Sequence, residues 1–187
     1  MVISYFGEGC FRLQSGDTSL LVDPVSNRLK ADVTLKTLVP ANVEGPAEGE
    51  IVFPGEYEIK GMEIQGWPAA LESTAKFVKT VYLVRWEEMS FVFLGHLSKA
   101  LEPDAMESIG DPDVLFLPFD GEHFLSLEAA SKIAKQLNPH FIIPSFSKKP
   151  AELLKSFGQK AEAQEKLVFK RKDLSGTRGK IVLLEAR

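Results

Sequence analysis

The first half of the chain alternates apolar and polar residues with a period of two, which is typical of strands that bury one face. Turn residues such as Ser15-Gly16-Asp17 and Lys60-Gly61 separate these runs, and Asp23-Pro24 ends one of them, because proline cannot donate to a sheet. Residues 39–49, rich in Pro, Gly, Asn and Glu, predict a long loop. The alternation predicts strands at residues 2–6, 10–14, 19–22 and 31–37, and hairpins joining 57–59 to 62–65 and 78–84 to 90–94.

After Gly95 the apolar period lengthens to about 3.6 residues, so helices are predicted to alternate with buried strands. Ser126 is a predicted N-cap, and Asn138-Pro139 ends the helix that follows it. The second half predicts helices at residues 103–109, 127–137 and 150–157, strands at 114–117 and 141–143, and a closing hairpin joining 167–169 to 181–184. This order predicts one domain over residues 1–187, an α/β (α+β) sandwich of two sheets with helices outside.

Composition excludes several classes of protein. The chain carries 26 acidic and 22 basic residues in 187, a net charge of −4, which gives no long-range attraction for nucleic acid. The single cysteine, Cys10, cannot form an intrachain disulfide, and this favours a cytoplasmic location. The N-terminus lacks the pattern of a secretory signal, and no apolar run approaches the roughly 18 residues of a membrane span. We therefore expect no membrane partner.

Seven short motifs, read together, resemble the metallo-β-lactamase superfamily, in its small branch similar to ascorbate-phosphate lactonase. In chain order they are Phe6-Gly7-Glu8-Gly9-Cys10-Phe11, Leu20-Leu21-Val22-Asp23-Pro24, Ala31-Asp32-Val33-Thr34-Leu35-Lys36-Thr37, Pro54-Gly55-Glu56-Tyr57-Glu58-Ile59-Lys60-Gly61, Phe93-Leu94-Gly95, Asp113-Val114-Leu115-Phe116-Leu117-Pro118 and Ile142-Ile143-Pro144. The resemblance covers nearly the whole chain. It implies a four-layer αββα sandwich and, for an intact member, a zinc-dependent hydrolase.

The resemblance also shows that the metal ligands have been replaced. The motif Thr-His-x-His-x-Asp-His-x-Gly of the superfamily corresponds to residues 37–45 of this chain, without a gap. Zinc needs three or four nitrogen, sulfur or oxygen donors, so no zinc cofactor is expected here. Against the family pattern, Leu38, Pro40 and Val43 stand for histidines, Asn42 for aspartate, His96 for the bridging aspartate, Phe146 for the last histidine and Glu8 for the early histidine.

The remaining polar residues leave alternatives open. His96 is interpreted either as a base at the old pocket or, preferably, as a hydrogen-bonded histidine that fills vacated space. His123, with Asp120, Glu122 and His96, would form a relocated site, although an exposed loop is the favoured interpretation.

Three further features have structural interpretations. Asp23 resembles the aspartate behind the metal loop, and we expect it to accept backbone N–H bonds. Cys10 is predicted to be a buried structural residue, because no neighbouring cation would activate its thiol. Basic residues on the predicted closing hairpin would contact phosphates, but a solvated edge protected by charge is preferred. They are Lys166, Lys170, Arg171, Lys172, Arg178 and Lys180.

The sequence favours a pseudoenzyme, a catalytically inactive member of the fold that acts as a binding or assembly module. The alternative is a hydrolase with a relocated or partner-completed metal site. Because the replacements are apolar, we expect the mouth of the former active site to be either a dry, packed surface or a contact patch, with Leu38 and Val43 buried against Phe146 or Phe119. The same apolar mouth beside exposed strands predicts a homo-oligomer.

Overall fold

The computed structural model describes residues 1–43, 45–119, 122–147, 149–176 and 178–187. The helices are α1 (Pro103–Ile109), α2 (Leu127–Leu137) and α3 (Pro150–Ser156), with a 3₁₀ helix at Arg171–Leu174. The strands are β1 (Val2–Tyr5), β2 (Phe11–Ser15), β3 (Thr18–Val22), β4 (Val33–Leu35), β5 (Leu38–Pro40), β6 (Glu50–Ile51), β7 (Gly55–Ile59), β8 (Met62–Pro68), β9 (Phe77–Trp86), β10 (Met89–Phe93), β11 (Val114–Pro118), β12 (Phe141–Ser145), β13 (Ala163–Gln164), β14 (Lys166–Val168), β15 (Lys180–Ile181) and β16 (Leu183–Leu184).

Two large sheets form the body of the molecule. The first has the order β14-β1-β2-β3-β4-β6, and the second has the order β15-β12-β11-β10-β9-β8-β7, with β5 added beside β9. The antiparallel strands β7 to β10 are joined by hairpins, whereas β10, β11, β12 and β15 run parallel. Parallel neighbours need crossover connections, and α2 supplies the crossover between β11 and β12. The change of apolar period after Gly95 therefore marks the change from hairpins to crossovers.

Alternation along each strand divides the interior into two apolar layers. In β9, Tyr82 and Val84 face the first sheet, whereas Val81 and Leu83 face the helices. The layer between the sheets includes Phe11, Phe93 and Phe116. The Phe116 ring centroid lies 4.6 Å from that of Phe11 and 4.3 Å from that of Phe93. Burial of these side chains, each worth about 1.5–3 kcal/mol, fixes the register of both sheets.

All three described α-helices contribute to the second layer, on the outer face of the second sheet. In α2 the predicted face is buried, the Ser126 Oγ accepts from Ala129 N–H at 3.2 Å, and Asn138 ends the helix in the left-handed conformation. The predicted α+β sandwich is confirmed. No described helix combines the length and apolar character that a membrane crossing requires.

The predicted closing hairpin is wrong. β14 pairs antiparallel with β1 at the edge of the first sheet, whereas β15 pairs parallel with β12 at the edge of the second. Both segments are short apolar runs, and alternation alone does not identify a strand's partner. The basic residues are consequently divided between the two sheets. Arg171 contacts Asp113, and the Arg178 guanidinium donates to the carbonyl oxygen of Asn138.

Candidate functional site

Loops at one end of the sandwich converge on an open cleft of about 450 Å³. The loop between β1 and β2 supplies Glu8, the end of β10 leads to His96, and the segment after β12 supplies Phe146. His123 lies between β11 and α2 in an exposed loop, as predicted. The described part of the lining comprises Tyr5, Glu8, His96, Glu122, His123, Phe124, Phe146 and Ser147. A cleft of this size contradicts the first expectation for the mouth, a dry, packed surface.

Phe146 forms the aromatic centre of this cleft. Its ring stacks on Phe124 with centroids 4.1 Å apart and lies 5.0 Å from the His96 ring. A side chain at Gly9 would place its Cβ 2.3 Å from the Phe146 ring, so the β1–β2 loop approaches this closely only because residue 9 is glycine. Phe146 thus joins three loops of the cleft into one packed unit.

Backbone strain is concentrated at the same end of the molecule. Glu8, Asp23 and Phe146 have φ values of +48°, +44° and +59°. Other described non-glycine residues with positive φ lie in hairpin turns or at the end of α2. A non-glycine residue in an unfavourable backbone region costs on the order of 1–3 kcal/mol and is retained where surrounding contacts impose it. These three strained positions therefore all lie in the loops at this end of the sandwich.

A hydrogen-bonded chain runs beneath the cleft from Asp23 through Thr37 to His96. The Thr37 backbone N–H donates to Asp23 Oδ1 at 2.7 Å, and the Thr37 hydroxyl donates to Asp23 Oδ2 at 2.5 Å. Thr37 Oγ1 also lies 2.8 Å from His96 Nδ1. The predicted acceptance of a backbone N–H by Asp23 is confirmed. His96 is likewise the predicted hydrogen-bonded histidine.

This chain determines the tautomer of His96 when Asp23 is ionised. The single hydroxyl proton of Thr37 is directed at Asp23, so Thr37 Oγ1 accepts from His96 Nδ1–H. His96 Nε2 then carries the free lone pair, and no described residue hydrogen-bonds to it. Gly95 permits this arrangement, because a Cβ there would lie 2.3 Å from Thr37 Cβ.

Burial shifts the pKa values at the two ends of the chain in opposite directions. Desolvation raises the pKa of Asp23 to about 6, against which the hydrogen bonds from Thr37 and the charge of Lys36 act. Desolvation, assisted by the positive charge of Lys79, lowers the pKa of His96 to about 4. At neutral pH the chain consists of a carboxylate and a neutral imidazole, although His96 Nδ1 and Asp23 Oδ2 lie 3.8 Å apart.

The segment at the position of the metal motif is separated from the cleft. Leu38 and Pro40 belong to β5, which pairs antiparallel with β9 through Lys79, Val78 and Phe77. The start of the predicted long loop is therefore a strand. Leu38 and Val43 are half-buried rather than buried, and Val39 is the buried residue of β5, because alternation places it on the inner face.

The remaining candidates are placed as follows. Pro40 and Asn42 are exposed and do not line the cleft. Cys10 is fully buried, as predicted, and burial raises the pKa of its thiol. Glu122 lines the cleft with His96 and His123, as the relocated-site alternative requires, but Asp120 lies outside the described residues.

Sequence analysis missed an important carboxylate on the other side of the loop after β10. Glu72 accepts from the backbone N–H groups of Ser98 and Lys99 at 2.7–3.0 Å, and from the Ser98 hydroxyl at 2.7 Å. It also binds Lys79 Nζ at 2.8 Å, and Lys79 in turn donates to the His96 carbonyl oxygen at 2.7 Å. Only the pairing of β8 with β9 brings Glu72 here, and no local motif indicates it.

The comparison with known families decides the fold family. The sequence pattern of the Beta-lactamase superfamily domain matches residues 2–145, which is well over half of the chain. The chain belongs to this superfamily. No curated protein matches it. The superfamily is the one that the seven motifs of the sequence indicated.

Solved structures of the metallo-β-lactamase superfamily share the fold. A proposed Zn-dependent hydrolase of Thermotoga maritima superposes with a TM-score of 0.80 at 25% identity, covering 100% of this chain and 99% of its own. The novel metallo hydrolase Igni18 of Ignicoccus hospitalis gives 0.67 at 19% identity, with 90% and 99% covered. A proposed metal-dependent hydrolase of Parabacteroides distasonis gives 0.65 at 19%, with 87% and 92% covered.

The donor set of this chain does not fit the metal of its superfamily. Leu38, Pro40, Val43 and Phe146 have no side-chain donor, and the His96 Nδ1 is already bonded to Thr37. Among the described residues, no group of three or more His, Cys, Asp or Glu side chains is arranged to hold a metal ion. What remains at the cleft is a set of carboxylates, imidazoles and aromatic rings with no common coordination centre.

Proposed function

We propose that this member of the superfamily is catalytically silent and acts as a binding or assembly module. The observation that carries the proposal is the position of Phe146, which stands where the superfamily has its last histidine. Its ring is held by Phe124, His96 and Gly9 at the centre of the cleft. An aromatic ring at a ligand position removes a donor and occupies space that a coordinated ion and its water would need.

The state of His96 supports the same proposal. A histidine that acts as a general base near neutrality needs a pKa close to the working pH. The pKa of His96 is about 4, and its Nδ1 is engaged by Thr37. The imidazole therefore accepts protons poorly at pH 7, and it remains a hydrogen-bonding group for a bound molecule.

A hydrolase with a relocated or partner-completed metal site is the second candidate. It is favoured by one observation: Glu8, Glu122, His96 and His123 line the same cleft. A partner chain that supplied further donors would complete a site of the usual size. The two candidates differ in their response to added metal, since a silent binding module gains no activity from any ion.

The test is a hydrolysis screen with added Zn²⁺, Mn²⁺ or Fe²⁺, using phosphodiester, lactone and β-lactam substrates. We expect rates indistinguishable from those of the metal in buffer, both for the wild-type chain and for His96→Ala. A metal-dependent rate that disappears in His96→Ala and in Glu122→Gln, but not in the exposed control Glu107→Gln, would establish the second candidate.

We also propose a cytoplasmic homo-oligomer. The single buried thiol suits a reducing compartment. The sheets leave edge strands β7 and β14 without a further neighbour in the described chain, and Phe77 on β9 is 47% exposed. Light scattering at micromolar concentration should give a mass above the 20.7 kDa of one chain, and a mass of 20.7 kDa alone would contradict the oligomer.

A further inference from the structure

The described lining of the cleft carries negative charge. Glu8 and Glu122 are exposed carboxylates on its lining, and no lysine or arginine lies among the lining residues that the structure describes. The cation behind the wall, Lys79, is bound to Glu72 and to the His96 carbonyl oxygen. A molecule entering the cleft therefore meets negative charge from the described part of the lining, which offers it no lysine or arginine.

The same cleft also presents aromatic surface. Phe124 and Phe146 are half-buried and stacked with an angle of 16° between their planes, and Tyr5 adds a third half-buried ring. Stacked rings make a flat apolar surface, and ring faces attract cations through their quadrupole. A flat molecule with a positive end uses both features together.

His96 adds a hydrogen-bond acceptor. Thr37 takes the Nδ1–H, so the Nε2 lone pair is left for a donor in the cleft. Carboxylates and ketones have no donor for this atom, whereas amidinium and guanidinium groups carry several N–H donors in one plane. The carboxylates of Glu8 and Glu122 accept from the same kind of group.

We propose that the cleft binds a flat organic cation of the amidinium or guanidinium class, with its apolar body against Phe124 and Phe146 and its N–H groups directed to His96 and the two glutamates. This inference rests on the proposed binding function. It gives that function a ligand class, and it assigns each lining feature a part in recognition. Metallic cations are a different class, because they need convergent donors and gain nothing from an aromatic wall.

The experiment uses three molecules of nearly one shape: benzamidine, its neutral isostere benzamide and its anionic relative benzoate. Each is titrated into the untagged full-length protein at pH 7 and low salt, with binding followed by NMR shifts of the His96 and phenylalanine ring protons. We expect benzamidine to bind at least about fivefold more tightly than benzamide, and benzoate most weakly. Added 0.5 M NaCl should reduce the difference, because rim charges are screened.

Variants locate the binding. The double variant Glu8→Gln with Glu122→Gln should remove most of the preference for benzamidine over benzamide. Phe124→Leu should weaken the binding of both molecules, with the larger loss for benzamidine. Glu107→Gln, which removes one exposed charge from α1, is the control and should change neither the affinity for benzamidine nor the affinity for benzamide. The three glutamate substitutions affect exposed side chains, so we expect these variants to fold like the wild type.

Equal binding of benzamidine and benzamide, or tighter binding of benzoate, would overturn the ligand class. Preference for benzamidine that survives the double glutamate variant would place the site elsewhere and would also overturn the inference. Neither result bears on the metal content of the protein. Conversely, a bound zinc would refute the proposed silent function even where benzamidine binds, so failure of the ligand class and failure of the proposed function are separable.

Discussion

Glu72 and Asp23 hold the loop after β10 from opposite sides, and their electrostatic surroundings differ. Both side chains are almost fully buried, with 4% and 11% of their surface exposed. Glu72 receives N–H and O–H donors from Ser98 and Lys99 and the ammonium of Lys79, so its pKa is lowered despite desolvation. Among the described residues, Asp23 receives hydrogen-bond donors from Thr37 alone, and burial raises its pKa to about 6.

The contacts of Glu72 act as a structural clamp on the loop, whereas the chain that begins at Asp23 reaches the cleft. The Glu72 clamp satisfies its charge within the protein, and it would work in the same way beside any pocket. The Asp23–Thr37–His96 chain is only partly satisfied, since it ends in an imidazole lone pair at the cleft. The two carboxylates thus both help to hold the loop after β10, but only the Asp23–Thr37–His96 chain reaches the cleft.

The largest effect is expected on the clamp. Glu72→Gln should destabilise the protein by about 2–4 kcal/mol, because it leaves the Lys79 ammonium without its partner and weakens the bonds to Ser98 and Lys99. Urea unfolding would measure the change, with Glu107→Gln as the exposed control. A loss as small as that of the control would show that Glu72 does not hold this loop.

A smaller effect is expected on the chain beneath the cleft. Thr37→Val keeps the shape of the buried side chain but removes the hydroxyl between Asp23 and His96, and we expect a loss of about 1–2 kcal/mol. Thr37→Ser retains the hydroxyl and should keep the wild-type position of the His96 ring resonances in NMR spectra. A valine variant with unchanged stability and His96 resonances would contradict the hydrogen-bonded chain.

The smallest effect concerns pH. The folded-state pKa of His96, about 4, lies below the ordinary 6.5, so between these values the unfolded chain takes up the proton and stability falls as pH falls. The folded-state pKa of Asp23, about 6, lies above the ordinary 3.8, so here the folded chain takes up the proton and stability rises as pH falls. Between pH 4 and 6 the two contributions oppose each other.

Single variants should separate the contributions of His96 and Asp23 to the pH dependence of stability. Relative to wild type, Asp23→Asn should become less stable, and His96→Gln more stable, as the pH falls from 6 to 4, each by up to about 1 kcal/mol per pH unit. Chemical denaturation at several pH values measures these differences. Parallel profiles for both variants and wild type would show that neither group titrates across this range.

The comparison of the two carboxylates also explains what the sequence predicts well. The strands, α2 with its cap at Ser126, the buried Cys10 and the role of Asp23 follow from local alternation, capping or a motif around one residue. The role of Glu72 does not, because its partners Ser98 and Lys99 lie 26 and 27 residues away and are brought to it only by the fold.

The shape and lining of the cleft likewise could not be predicted from local sequence patterns. Replacing donors by apolar residues indicated a packed surface, but β5 draws Leu38 and Val39 toward β9, and the space beside Phe146 remains open. Phe124 and Tyr5 could not be assigned to the site from sequence, since they join it through contacts between distant loops. The closing hairpin failed for a related reason, because edge strands of two different sheets resemble two strands of one.

The central claim is that the chain no longer holds the metal of its superfamily, and metal content tests it most directly. Protein purified without chelators and without a metal-affinity tag should contain zinc, iron and manganese well below one equivalent per chain. Leu38→His should not raise this content, because one restored donor leaves the other positions without ligands. About one zinc per chain in the wild type, lost on His96→Ala, would contradict the claim and show that the cleft holds a rebuilt metal site.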